Sequence, residues 1–579
     1  MSLYKQSFDH KELLLNKIMS QEKDYDPRVN MLIRPLHTPG YHTTLTSDVY
    51  PLVHPTHPSL LYAVGLLNSE DPENVQRASD IIQSVLALQD RDPERDTYGI
   101  WPWFYEESLI QMDPPDWNWA DFCGKELVLA ALLHGPLFTE DLREQIQQGI
   151  SCACDAIIKR DMGPHYTNIS IMGAFVTLIA GELYGRQDYV DYALQRLEKL
   201  KQYTEGLRTF QEFNSPHYSV IAIIELSKLV TYSSNSRAKE IAIDLLDIGW
   251  RMVADHYHPI SQQWAGPHSR SYSTLLTNKI KSFLQIATDN RLYFFSGADL
   301  EYDTEWYGSG FQCPEKYLDL FMSEDTRVLE QPYYRNEDTG LVKWAKTIIT
   351  PQYTIGIFKN EIMWNQTRGM VAYFENNGSA TYLQMRCLHD GYDYCSGVLS
   401  ASEDEGHLLL GVRFLTNGGD THPGLDRIDG SIEASDLRIR LEFGGCLDGV
   451  NVTTKESKAE VEIDGIPLRM DNVYAAFDVM SDVDGKEHRG WDWEVTVQEH
   501  YVGLDLVIYT GERKIIDFNE LNRAAFLFSL AIGEVVEKLP DISVTEEAGH
   551  VTASVVTSHL DRLSHEVSIA LKPNAIHPV

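Results

Sequence analysis

The chain holds 579 residues, with 85 Asp+Glu against 49 Lys+Arg and a formal charge of −36. At 43% hydrophobic and 23% charged it has the composition of a globular protein with ample core, which excludes disordered, collagen-like and coiled-coil classes. So negative a surface repels a phosphate backbone, which excludes nucleic-acid binding by bulk charge. Any highly anionic partner needs a local basic pocket.

From Met1 to Gln21 no apolar run leads into a small-residue cleavage site. No stretch reads as the roughly 18 apolar residues of a membrane span. The expectation is a soluble, cytoplasmic protein without a membrane partner. Helical spacing starts at 57–69. Asp71 is placed to cap the next helix, Pro72 suits its first position, and Val75, Ala78, Ile82 and Val85 form its stripe. Further helices are predicted over 120–134, from a Thr139 cap to about Arg160, over 168–185, and along the stripe Val190, Leu194, Leu197, Leu200. Three more fit 216–231, 236–256 and 272–288. Short Gly-, Pro-, Asn- and Asp-bearing connections pair such helices antiparallel, and a closed α/α toroid accommodates them. The seven cysteines are odd in number and include no CxxC. Cys152 and Cys154 face apart on a helix, so neither a disulfide framework nor a structural metal is expected.

Residues 290–345 read as a connection. After about 345 the period switches to two. Leu437, Ile439, Leu441 and Phe443 alternate with Arg438, Arg440 and Glu442. Ala459, Val461 and Ile463 lead into Asp464-Gly465, a hairpin signal. Strands also fit 353–359, 370–375, 380–387, 407–414, 493–499, 503–510 and 524–531, and one polar face per strand indicates stacked antiparallel sheets. The expected fold is α+β and multidomain: an N-terminal α/α toroid over 1–330 and a C-terminal antiparallel β-sandwich over 331–579. An exposed sandwich face could pair two copies.

Four segments concentrate aromatic and polar residues before helical stripes. They are Trp101 to Asp121, with Asp116, Trp117 and Trp119; Gly163 to Asn168, with His165 and Tyr166; Glu212 to Tyr218, with Asn214 and His217; and Trp264 to Tyr272, with His268 and Arg270. Trp faces stack on sugar rings, and amides, imidazoles and phenols suit hydroxyls and carboxylates. The partner expected is therefore a carbohydrate. No P-loop, dinucleotide fingerprint or nucleophile elbow occurs in a strand–turn–helix context, and no cofactor or metal spacing is present.

The third segment, Glu212-Phe-Asn-Ser215-Pro216-His-Tyr218, resembles the Glu-x-x-Ser-Pro-x-Tyr motif before a helix in toroid-plus-sandwich polysaccharide lyases of the heparinase II/III and alginate lyase type. The resemblance implies Tyr218 as catalytic acid and in some members base. It implies Asn168, 50 residues upstream at a helix start, as the group that binds a uronate carboxylate. Ile169 stands where many members have His, which leaves His165, His217, His268 or Arg270 to complete the neutralising set. His389-Asp390-Gly-Tyr-Asp393 is similar to the family's sandwich motif and implies His389 as an alternative base or second neutraliser. The implied substrate site comprises His165, Tyr166, Glu212, His217, His268, Tyr272, Trp117 and Trp119.

Elimination at a 4-linked uronate needs the weakly acidic C5 proton removed. Neutralising the adjacent carboxylate acidifies that proton and stabilises the enolate-like intermediate. An acid must then protonate the departing oxygen. The charge of −36 favours a short uronate oligosaccharide over a long polyanion. The rival reading is glycoside hydrolysis by a carboxyl pair drawn from Asp116, Asp121 and Glu212, and a third is non-catalytic carbohydrate binding.

Overall fold

The computed structural model describes residues 8–38, 41–336, 338–479, 491–557 and 562–578. The chain forms two units. One comprises Met1–Glu212, Tyr218–Arg251 and Thr277–Leu318; the other comprises Phe213–His217, Met252–Leu276 and Asp319–Val579. The second unit's main segment opens at Asp319, and that unit also takes two short segments from within the helical half.

Among the described residues there are eleven α-helices: α1 His10–Glu22, α2 Thr56–Asn68, α3 Pro72–Leu86, α4 Trp119–His134, α5 Glu140–Arg160, α6 Thr167–Tyr184, α7 Gln187–Leu207, α8 Tyr218–Tyr232, α9 Ser236–His256, α10 Asn278–Ala287 and α11 Glu315–Phe321. Local chemistry sets several starts. Asp71 accepts from the Glu73 amide and Pro72 opens α3, while Thr139 accepts from the Leu142 amide before α5. The helices fall into two rows. In α2, α4, α6 and α8 apolar residues run around the whole helix, and these helices pack on one another in sequence. In α3, α5 and α7 one stripe is buried, and each packs on the inner helix before it. An all-apolar helix is stable only inside, and an amphipathic one only as its cover. This two-row order is that of the α/α toroid.

By length and hydropathy α6 passes for a membrane span, but 83% of it is buried inside the fold, so it is a core helix. One sequence expectation changes. The helix expected over 272–288 is confined to Asn278–Ala287, because Thr277 caps it.

The second unit is a sandwich. Its nine-stranded antiparallel sheet runs, edge to edge, Glu494–Val497, Tyr501–Asp517, Ser431–Gly445, Ser379–His389, Met370–Asn376, Tyr353–Phe358, Val342–Ile349, Arg327–Arg335, with Tyr392–Asp393 beside Ser379–His389. The opposing sheet runs Asn360–Ile362, Gly397–Asp404, His407–Phe414, Leu521–Ile532, Ile466–Val479, Lys458–Ile463, Asn451–Lys455. Leu437, Ile439, Leu441 and Phe443 meet Leu408, Leu410, Val412 and Phe528 in the shared core. Asp464 and Gly465 both take positive φ, as a tight hairpin of primed type requires.

The nine-stranded sheet's first strand in the chain starts at Arg327, inside the stretch read as a connection. The strand His407–Phe414 is buried at every position. A third sheet, Ile542–Glu547, His550–Thr557 and Arg562–Ala570, lays Val551, Ala553 and Val555 on Leu409, Ala525 and Leu527 and covers the second face. Gly356 lets the Gly266–Pro267 backbone lie against its strand, since a Cβ there would stand 1.9 Å from the Gly266 carbonyl carbon.

Candidate active site

Alternation of inner and outer helices makes the inner helices share one direction, so their N-termini gather at one end of the helical unit. Three contacts tie those ends together. Trp119 Nε1 donates to Thr56 Oγ1 at 2.9 Å, joining the starts of α4 and α2. Asn118 Nδ2 donates to the Tyr166 hydroxyl at 3.3 Å, joining the approaches to α4 and α6. The Asn168 main-chain N–H and its Nδ2 donate to the two Glu212 oxygens at 2.8 and 3.0 Å. Tyr166 gives α6 no side-chain cap. The Glu212 carboxylate takes that part, answering an unpaired N–H and the positive end of the helix dipole.

Asn168 is 1% exposed, and its Oδ1 is buried with no hydrogen-bond partner. An orphaned buried carbonyl costs about 1–3 kcal/mol, and such costs gather where a fold holds a group ready for a ligand. Glu212 fixes the amide's orientation, because turning it would set Oδ1 against a carboxylate. Tyr218 is the first residue of α8 and 9% exposed. Trp117 Nε1 donates to the Asp96 carbonyl at 3.0 Å. Trp119 packs at 5.2 Å between ring centroids on Trp103, whose Nε1 reaches Asp116 Oδ2 at 3.2 Å. His165 is exposed on the loop before α6. Arg160 Nη1 donates to Asn118 Oδ1 at 2.6 Å and brings a cation to this rim. Arg196, on α7, binds the Ile169 and Ser170 carbonyls at 3.0 Å each.

Of the hydrolytic candidates, Asp116 accepts from Trp103 and from the Asn118 amide, and Glu212 serves Asn168. Asp121 lies deeper, 2% exposed, with Oδ1 unpartnered. Burial pushes its carboxyl up to about 7 against the pull of Arg196 and Arg160.

The remaining candidates belong to the sandwich unit. His268 is 1% exposed, its Nδ1 sits 2.6 Å from the Asn214 carbonyl, and burial drives its pKa down to about 3. It is a neutral, buried imidazole that holds a loop. Arg270 Nε and Nη2 donate to Gln366 Oε1 at 3.1 and 3.0 Å, and its guanidinium lies over the Trp364 ring. His217 and Tyr272 are exposed and meet edge to face at 5.1 Å. His389 contacts Asp420 Oδ1 through Nδ1 at 2.8 Å and the Glu433 carbonyl through Nε2 at 3.0 Å. Both partners are acceptors. Burial lowers its pKa, but the Asp420 carboxylate outweighs this and the net shift is upward. Asp390 and Asp393 serve the same turn, binding the Ser435 and Asp436 amides and Arg386 respectively.

Sequence reasoning missed a buried ionic cluster on the inner helices. Lys125 and Glu126 of α4, Glu225 and Lys228 of α8, His57 of α2 and Glu305 of the short turn Thr304–Trp306 stand together. Lys125 and Lys228 donate to Glu225 Oε1 at 3.1 and 2.8 Å, and Lys125 also contacts Glu305. Burial raises the Glu225 and Glu126 carboxyls, but the ammonium groups around them, joined at Glu126 by His57, outweigh it and hold both below the ordinary carboxylate value. Burial lowers the Lys125 pKa and that of His57. The signal available was four charges placed inside helices that are otherwise apolar all round.

Residues 11–288 match the model of a family described as a domain of unknown function (DUF8769). No match is found among curated proteins. Among solved structures the chain is similar to heparinase III, at 11% identity over 99% of this chain and 92% of that chain, with a TM-score of 0.45. It is similar to the Streptomyces coelicolor A3 chondroitin AC lyase solved with chondroitin sulphate, at 10% identity over 96% and 85%, TM-score 0.46. It is similar to the heparan sulfate lyase HepC from Pedobacter heparinus, at 10% identity over 97% and 94%, TM-score 0.33. These neighbours are polysaccharide lyases, the class that the Glu212–Tyr218 motif resembles.

Proposed function

We propose that the protein is a carbohydrate-active lyase that cleaves uronate-containing oligosaccharides by β-elimination. One observation carries the reading. Glu212, the first residue of the Glu-x-x-Ser-Pro-x-Tyr motif, holds the Asn168 amide at 3.0 Å, and Tyr218, its last residue, opens α8. Asn168 keeps one N–H for a substrate carboxylate, whose negative charge it would reduce as the C5 proton leaves. Glu212 opposes that binding by its own charge, so a cation must stand with the amide; His165, on the loop before α6 of the same unit, is the candidate. The Tyr218 phenolate takes the C5 proton, the C4–O bond breaks as the double bond forms, and the phenol returns the proton to the departing oxygen.

Asp121 favours one other reading, because a buried carboxyl with a pKa near 7 suits a general acid of glycoside hydrolysis. The two part cleanly in one experiment. A panel of uronate and neutral oligosaccharides is incubated with the protein, and ultraviolet absorbance of a conjugated double bond is followed beside reducing ends. Elimination raises both; hydrolysis raises reducing ends alone; a binder raises neither. Tyr218→Phe, which removes only a hydroxyl, should abolish the absorbance change while the circular dichroism stays that of the parent. Full lyase activity in the Tyr218→Phe variant would overturn the assignment.

A further inference from the structure

We propose that His57, Glu126 and Glu305 form a site for one divalent cation of the zinc–manganese class inside the helical unit. The inference does not depend on the proposed reaction. One ligand atom from each residue lies within 4.8 Å of the other two. His57 Nε2 and Glu126 Oε1 stand 3.6 Å apart. That is too long for a hydrogen bond, and it is the spacing of two ligands each about 2.1 Å from one ion in near-tetrahedral geometry.

Both atoms are buried and neither has a hydrogen-bond partner. Glu126 is 1% exposed, so its carboxylate is aimed into this gap at full desolvation cost. The His57 ring is oriented by edge contacts with Phe122 at 5.2 Å and Trp119 at 6.3 Å. Glu225 already accepts from both ammonium groups, while Lys125 stands 3.9 Å from Glu126. One imidazole and two carboxylates suit a borderline ion more than calcium or magnesium, which favour oxygen-only sets.

Lys125 also lies against Glu305. Filling the site requires Lys125 to give up Glu305 and keep Glu225, so the ammonium competes with the ion. The ion would tie α2, α4 and the Thr304–Trp306 turn together.

The test uses the full chain, stripped with a chelator, titrated calorimetrically with Zn2+ and separately with Mn2+, and melted with and without each ion. One equivalent should bind and raise the melting temperature. His57→Gln and Glu126→Gln should each weaken binding at least about 10-fold while keeping the parent's circular dichroism. Lys125→Met should tighten it. Absence of saturable binding by the folded parent, or unchanged affinity in both ligand variants, overturns the site. Should the variants fail to fold, the zinc-edge absorption spectrum of the parent decides. One imidazole among oxygen ligands supports the assignment, and any other ligand set overturns it.

Discussion

Glu212 performs two tasks that one substitution separates. Its carboxylate caps α6 through the Asn168 main-chain N–H and orients the Asn168 side chain. Glu212→Gln keeps an acceptor for the cap but offers an amide that can pair with Asn168 Oδ1 in a turned orientation. Lyase activity should fall about 100-fold, as when one preorganised donor is lost, while the melting temperature moves little. Equal loss of activity and stability would assign Glu212 to the fold alone. Asp121 gives a prediction in pH. Its carboxyl is raised from 3.8 to about 7 by burial. Below the unfolded value both states are protonated and its contribution to stability is fully present. As pH rises toward 7 the unfolded chain ionises first, and that contribution is lost. Asp121→Asn should therefore gain melting temperature over the parent as pH rises from about 4 to about 7, and a difference flat across melts in that range would refute the shift.

Between elements, the pair Ser431–Gly445 and Tyr501–Asp517 is stapled by Asp505. It is fully buried and accepts from Arg438 at 2.7 Å and from Arg440 at 2.6 and 2.8 Å. Asp505→Ala strands the guanidinium of the buried Arg440 and should cost about 3–5 kcal/mol, read by urea unfolding of the sheet signal. At this scale, what the sequence makes legible is what is local. Asp71 and Thr139 announce α3 and α5 because a cap is satisfied within three residues. The stripe Leu437, Ile439, Leu441, Phe443 fixes its strand because alternation is a property of the strand itself. The misreadings are all non-local. Pro332 lies beside a bulge between Pro332 and Tyr334, which breaks the alternation of Arg327–Arg335. His268 bridges Arg368 and the Ser271 amide bonds the Gln366 carbonyl, which keeps 268–271 out of a helix. His389 finds Asp420, 31 residues on, outside its own motif. The Lys125 partners lie 100 and 180 residues away, so no window along the chain could show them. The resemblance singles out Asn168 and Glu212 as candidates; their pairing, across 44 residues, is not visible along the chain.

For the molecule as a whole, the charge of −36 is the one property that bears on every anionic substrate at once. A lyase that draws polyanions to a basic surface loses rate as salt screens the attraction. Here the sign is reversed, and the approach of a long uronate polymer is opposed by a field that reaches about one Debye length, roughly 30 Å at 0.01 M salt and 8 Å at 0.15 M. Screening should therefore help. The kcat/KM for a long uronate polymer should rise between those two ionic strengths. That for a disaccharide or trisaccharide should change much less, because a short substrate carries few charges through the field. The contrast isolates the long-range term from the contacts proposed around Asn168 and Tyr218, which both substrates would share. If polymer cleavage instead fell steeply with salt, attraction to a concentrated patch of cations would outweigh the net charge, and the preference for oligosaccharides would have to be withdrawn.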